Sequence, residues 1–211
     1  DIADETAAVS RADFVAYAAR LIAMPENPDI SEEYFVDVDS SFWGAKLINS
    51  FAQSGYISVG ADRLFEPNEK ITAPQAYKII ECILGYDAAA QAKGGYPTGY
   101  SVVAKNIGLP TVGTEGYLTV RDMVSLFADA GEVPFFEVES IGNNRVTYTD
   151  DNDNTIFYIY HNLRSAEGFV SSADGMSFGT SGAGEDEICV DGVLYCAREI
   201  NYPGGYLGRE V

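Results

Sequence analysis

Three times along this chain an aliphatic residue precedes a Ser or Thr that is followed, three positions on, by an acid or amide. The three are Val9-Ser10 with Asp13, Ile71-Thr72 with Gln75, and Leu118-Thr119 with Asp122. Each is a helix start: the hydroxyl oxygen accepts from a free N–H of the first turn, and the acid or amide reaches back to the cap. The spacing that follows is helical. Phe14, Ala18, Leu21 and Ile22 share a face after the first start, Ala76, Ile79, Ile80 and Ile83 after the second, and Met123, Phe127 and Ala130 after the third. A chain that repeats one such start three times is constrained to stack like units, because a single short helix pair has too little surface to bury a core alone.

The second start belongs to the most complete unit, residues 34–86. An extended Phe35-Val36-Asp37-Val38 opens it, and Trp43, Leu47, Ile48 and Phe51 then fall on one helical face that Gly55 ends. A glycine-punctuated loop through Phe65-Glu66-Pro67-Asn68 leads to the capped second helix, where Pro74 suits a first turn lacking intrahelical N–H partners. The third unit is compressed, with Tyr100, Val103, Ala104 and Ile107 periodic before Gly108-Leu109. The first is represented only by its second half.

Phe35-Val36-Asp37-Val38, Trp43, Gly55-Tyr56-Ile57, Gly60, Phe65-Glu66-Pro67-Asn68 and Ile71-Thr72 together resemble the S-layer homology (SLH) repeat of bacterial surface proteins. Ser10-Arg11-Ala12-Asp13-Phe14 resembles that family's Thr-Arg-Ala-Glu-Phe segment, and residues 94–130 resemble a divergent last repeat. The resemblance covers roughly residues 9–130. It implies three repeats around a pseudo-threefold axis, in a unit that holds a secreted protein to the cell wall by binding secondary cell-wall polysaccharide, often with pyruvylated sugars. Two repeats depart from the pattern. Where Thr-Arg-Ala-Glu is expected the second has Thr72-Ala73-Pro74-Gln75, and in the third Val120 takes the arginine position, so that Arg121 is turned about 100° around its helix.

A site for an acidic sugar needs an aromatic face for the ring's C–H surface, oxygens or amides for hydroxyls, and a cation or helix N-terminus for a carboxylate. Arg11, in the first turn of a capped helix, is the leading candidate. Asp37 is a second, either accepting from sugar hydroxyls or capping the approach to the helix after it. Trp43 begins an apolar stripe, so core packing is the first expectation for it and a ligand-facing ring the alternative. Arg121 completes the candidate ligand-binding set, and Lys46, Arg63 and Lys70 enlarge the site if the loop folds them near Arg11.

With 32 acidic and 13 basic residues the formal net charge is −19, which repels an anionic polymer at long range unless a local basic site prevails. The same acidity argues against nucleic acid as partner, and no apolar run approaches membrane-spanning length.

Near Gly131-Glu132-Val133-Pro134 the pattern changes, and residues 132–211 read as a small, mostly antiparallel β-domain after an acidic leader at 1–8 and a repeat domain at 9–131. The fold class expected is therefore α+β in two domains. Arg145–Thr149 and Thr155–Tyr160 read as strands flanking the acidic turn Asp150-Asp151-Asn152-Asp153-Asn154, a solvated turn that lacks the ligand spacing of a calcium loop. Glu187-Ile188-Cys189-Val190 and Val193-Leu194-Tyr195-Cys196, joined by Asp191-Gly192, read as a hairpin. The glycine-rich residues 175–184 read as a surface loop.

Cys82, Cys189 and Cys196 make no disulfide framework; Cys82 falls on a packed helix face, and the other two sit diagonally on the hairpin. His161, the single histidine, has no nucleophile elbow or metal-ligand spacing around it. No catalytic residue, metal or cofactor is expected. The start at Asp1 carries no signal peptide, and the end at Leu207–Val211 reads as cut within a strand-like run, so the chain reads as a fragment of a longer, exported protein. The function expected is a non-enzymatic cell-surface anchor that binds wall polysaccharide and displays an attached domain. The alternative is a degenerate SLH-like module serving adhesion or self-assembly without sugar binding, and a third reading makes the β-domain the start of an adhesin or wall-active enzyme.

Overall fold

The computed structural model describes all residues except 1–3, 115, 137–139, 143–144, 148–153, 164–165, 179–181 and 198–202. The fold is mixed helix and antiparallel sheet and divides into two compact units, Asp1–Leu163 and Arg164–Val211.

In the first unit the three expected starts open helices α1 (Arg11–Leu21), α3 (Ala73–Ile83) and α6 (Val120–Glu132), with α2 (Ala45–Gln53), α4 (Asp87–Ala92) and α5 (Thr98–Asn106) between them. The caps form as the sequence requires. Ser10 Oγ accepts from the Asp13 N–H at 3.0 Å, the Thr72 N–H donates to Gln75 Oε1 at 2.9 Å, and the Thr119 N–H donates to Asp122 Oδ2 at 2.9 Å.

The aliphatic residues before the caps meet in a closed ring. The Val9 N–H donates to the Leu118 carbonyl (2.9 Å), the Leu118 N–H to Ile71 (2.9 Å), and the Ile71 N–H to Val9 (3.0 Å). All three side chains are buried. The next contacts keep the same offsets: Arg11 and Val120 donate to the carbonyls of Glu69 and Ala7, each two residues before its own cap-leading aliphatic, and Ala12 and Arg121 donate to Pro67 and Glu5, each four before it. Pro74 holds the corresponding position in the second helix and has no N–H to give.

Each cap-led helix packs on a later or earlier partner: α2 on α1, α5 on α3, and a further helix, α7 (Ile156–His161), on α6, while α1 also meets α6 and α3 meets α4. The strand expected at 155–160 is therefore a helix. Thr155 Oγ1 caps it by accepting from the Tyr158 N–H at 3.2 Å, Ile156 enters the common core, and Phe157 lies against Gly131 of α6. Burying Ile156 and Phe157 on α6 outweighs the β-preference of the Thr-Ile-Phe-Tyr-Ile-Tyr run. The first unit consequently runs to Leu163, past the change expected at 131. Between α6 and α7 a short hairpin pairs β1 (Ser140–Gly142) with β2 (Arg145–Thr147). Most of the acidic turn, residues 150–153, lies outside the described residues.

Trp43 is also corrected. Gly44 is the N-cap of α2, so Trp43 precedes the helix instead of opening its apolar stripe. The residue is 62% exposed, with its ring 5.5 Å from that of Phe42, while Ala45, Ile48 and Phe51 form the buried stripe.

The second unit is a four-stranded antiparallel sheet ordered β4-β3-β5-β6, from β3 (Val170–Ala173), β4 (Met176–Ser177), β5 (Glu187–Val190) and β6 (Val193–Cys196). Asp191 and Gly192 both take positive φ (46° and 86°), as a two-residue hairpin turn of this twist needs. Asp174-Gly175 repeats that turn between β3 and β4, and β4 falls inside the 175–184 stretch expected to be loop. Register sets Cys189 opposite Leu194 and Cys196 opposite Glu187, the diagonal expected, and both thiols are free. Glu210 forms an isolated antiparallel bridge with Phe169 at the entry to β3.

Candidate functional site

The first unit carries a groove of about 240 Å³ to which all three repeat segments contribute. Arg11 comes from the first turn of α1, Tyr56, Ser58 and Phe65 from the chain after α2, Gln75 and Lys78 from α3, and Tyr96 from the turn before α5. Buried Ile57, Ile71 and Ile79 complete the lining.

Asp37 builds this groove without entering it. Its Oδ1 accepts from the Phe65 N–H at 2.8 Å and its Oδ2 from the Glu66 N–H at 2.6 Å. The expectation of a helix cap is thus replaced by a loop tie across 28 residues, which spends one bond from each oxygen on backbone donors. The tie fixes Phe65, whose ring lies 4.9 Å beneath the Arg11 guanidinium. Hydrogen bonds to a charged group contribute about 1.5–3 kcal/mol each, so Asp37→Ala, which removes both, is expected to destabilise the unit by about 3 kcal/mol or more, and Asp37→Asn by a comparable amount, because its amide nitrogen faces a backbone N–H that needs an acceptor. Chemical denaturation measures this, and an Asp37→Asn variant as stable as wild type would refute the loop-tie account.

Arg11 is half-buried, and its Nε is buried with no hydrogen-bond partner. Burial lowers the guanidinium pKa from its ordinary value, against the raising influence of Glu66, Tyr96, Asp37 and Glu69. An arginine stays protonated even so. Lys78 is the second cation of the groove. Its Nζ donates to Ser58 Oγ at 2.7 Å and lies 5.7 Å from the Tyr96 ring centroid and 5.8 Å from that of Tyr100. Neither Arg11 nor Lys78 forms an ion pair; among the described residues the one salt bridge is Arg121 to Glu5, at 2.7 Å.

That pair removes Arg121 from the groove. Its Nε and Nη2 both donate to Glu5 Oε2, and the bond to Glu5 raises its pKa. It lines a separate depression of about 270 Å³ with Thr6, Thr114, Tyr117, Thr119 and Asp122. Trp43 does not line the groove, and neither do the expected auxiliary cations. Arg63 donates to the carbonyls of Tyr34 (2.8 Å) and Glu33, Lys70 sits 5.5 Å from the Tyr117 ring, and Lys46 is exposed on α2.

Lys78, Gln75 and Tyr96 lie outside the set of binding residues expected from motifs. A signal existed for the first two, since Gln75 and Lys78 are three apart and therefore neighbours on one helix face. Tyr96 carried none, because its partner Lys78 is eighteen residues away.

An aromatic-lined groove with two cations, a hydroxyl and an amide is equipped to hold an acidic, hydroxyl-rich molecule. Among the described residues no group of His, Cys, Asp and Glu is placed to hold a metal ion, and no helix is long and apolar enough to cross a membrane. No protein-family model matches the chain, and a search of curated proteins finds no match.

Proposed function

We propose that the first unit is an SLH-like, non-enzymatic anchoring module that binds secondary cell-wall polysaccharide through the Arg11 groove at the cell surface. The observation that carries this reading is Arg11 itself: a half-buried cation in a chain of net charge −19, laid on Phe65, opening into a tyrosine-lined groove with a guanidinium nitrogen still unpartnered. Two further observations support it. The closed ring of Val9, Ile71 and Leu118 is the contact expected of three repeats around a pseudo-threefold axis. The residue types in the groove meet the needs of a sugar ring bearing a carboxylate.

Single-site binding follows from the departures in the other repeats. Ala73 replaces one arginine, and Glu5 already occupies Arg121. The ligand class is an acidic glycan, which includes pyruvylated wall polymers.

Calorimetric titration of purified wall polysaccharide into the protein is expected to give one site per chain. Arg11→Ala is expected to weaken it at least tenfold, since charge-assisted hydrogen bonds contribute about 1.5–3 kcal/mol. Absence of binding by the wild-type protein would leave the structural or adhesive module as the better reading.

A further inference from the structure

The second repeat lacks a cation at Ala73, but its Lys78, five residues on, lines the Arg11 groove, and that placement suits more than a structural tie. Lys78 reaches the groove from α3, while Arg11 reaches it from α1. The two rest on separate aromatic supports, Arg11 on Phe65 and Lys78 on Tyr96 and Tyr100. Around Arg11 burial is the larger influence and lowers its pKa, and the carboxylates of Glu66, Asp37 and Glu69 offset part of that without pairing with it. Lys78 gives one hydrogen bond, to the neutral Ser58 hydroxyl, so its full charge is available to the groove.

Two cations from different helices line one groove of about 240 Å³, and a ligand with a single negative charge can meet only one of them directly. A ligand that meets both cations carries its two negative groups within the span of this one groove.

We propose that Lys78 is a specificity-determining residue that makes the groove selective for a sugar unit carrying two anionic groups, one met by Arg11 and the other by Lys78. The proposal rests on the groove being the polysaccharide site. Gln75 and Ser58 then serve the ring hydroxyls, and Tyr96 the ring face.

The test is an NMR titration of the full chain with glucose, glucuronate and glucuronate 1-phosphate, which share one ring size and differ in charge. The wild type is expected to bind glucuronate 1-phosphate at least tenfold more tightly than glucuronate, and glucose least. Lys78→Met is expected to bring the two acidic sugars within about twofold of each other, Lys78→Arg to restore the preference, and Arg11→Ala to weaken both. A wild type without the preference, or a Lys78→Met variant that keeps it or loses both sugars equally, would overturn the proposal; the last outcome marks Lys78 as a structural tie to Ser58. Wall polysaccharide titrated in parallel separates the two levels. Binding without a role for the Lys78 charge refutes the selectivity alone, whereas no binding of polysaccharide or sugars by the wild type refutes the groove as well.

Discussion

Between pH 5 and pH 8 the helical unit is expected to lose about 3–4 kcal/mol of stability, and Glu81→Gln is expected to abolish most of that loss. Glu81 lies on α3 with no exposed surface, and neither carboxylate oxygen has a hydrogen-bond partner. The Ala104 N–H approaches without reaching hydrogen-bond geometry and opposes the shift only partly. Burial is the main cause of a pKa raised from 4.5 to about 8, and Asp87 adds to it.

The sign follows from proton counts. Between 4.5 and 8 the folded chain holds a proton on Glu81 that the unfolded chain has released, so folding is favoured by acid and weakened as pH rises through this window. The amide introduced by Glu81→Gln resembles the protonated acid in shape and cannot ionise. Denaturation curves of the two proteins should converge near pH 5 and diverge toward pH 8, with wild type the less stable. Parallel curves across that range would remove Glu81 as the cause.

The neighbouring groups belong to the same cluster. Tyr100 donates to Asp87 Oδ1 and accepts from Gln91 Nε2 at 3.0 Å, while the Cys82 thiol, 3.7 Å from Asp87 Oδ1, is pushed up to about 12 chiefly by burial. Cys82 is therefore a protonated, unreactive thiol at neutral pH.

Gly99→Ala is expected to cost about 3 kcal/mol or more, the upper end of what overpacking does. A methyl group built at Gly99 would stand 2.1 Å from the Ala90 carbonyl oxygen and 3.1 Å from its carbon. The obstacle is the backbone of α4, not a side chain that can swing aside. Moving α4 would also withdraw Asp87 and Gln91 from the Tyr100 hydroxyl, so the substitution reaches the Glu81 cluster as well. Urea unfolding measures the loss. A change below about 1 kcal/mol would mean that α4 is held more loosely than its buried Ala90 implies.

Local chemistry made the three helix starts legible, because a cap, a reaching acid or amide and an apolar stripe lie within one short segment. The Asp191-Gly192 hairpin was legible for the same reason. What escaped depended on partners far along the chain. The run from Thr155 to Tyr160 favours a strand by composition and becomes a helix through Gly131 and the common core. Trp43 fitted a helical stripe by spacing, yet the helix starts two residues later at Ala45, and the ring stays outside.

The site divides along the same line. Arg11 was visible from its place behind a cap. Lys78 and Tyr96 line one groove with Arg11 only after the repeats have closed on one another, and that proximity has no local trace in the sequence. Arg121 was visible as a cation, but its neutralising partner Glu5 lies 116 residues away.

The ring formed by Val9, Ile71 and Leu118 also fixes when the chain can fold. A polypeptide made or passed through a pore from its N-terminus presents Val9 early, yet the last member of the ring follows more than a hundred residues later. Until Leu118 has emerged, each earlier helix start leaves the hydrogen bonds it would exchange with Leu118 unmade, and the segment remains threadable. The bond between Ile71 and Val9 needs no Leu118, but the other two bonds of the circle wait for that residue to emerge.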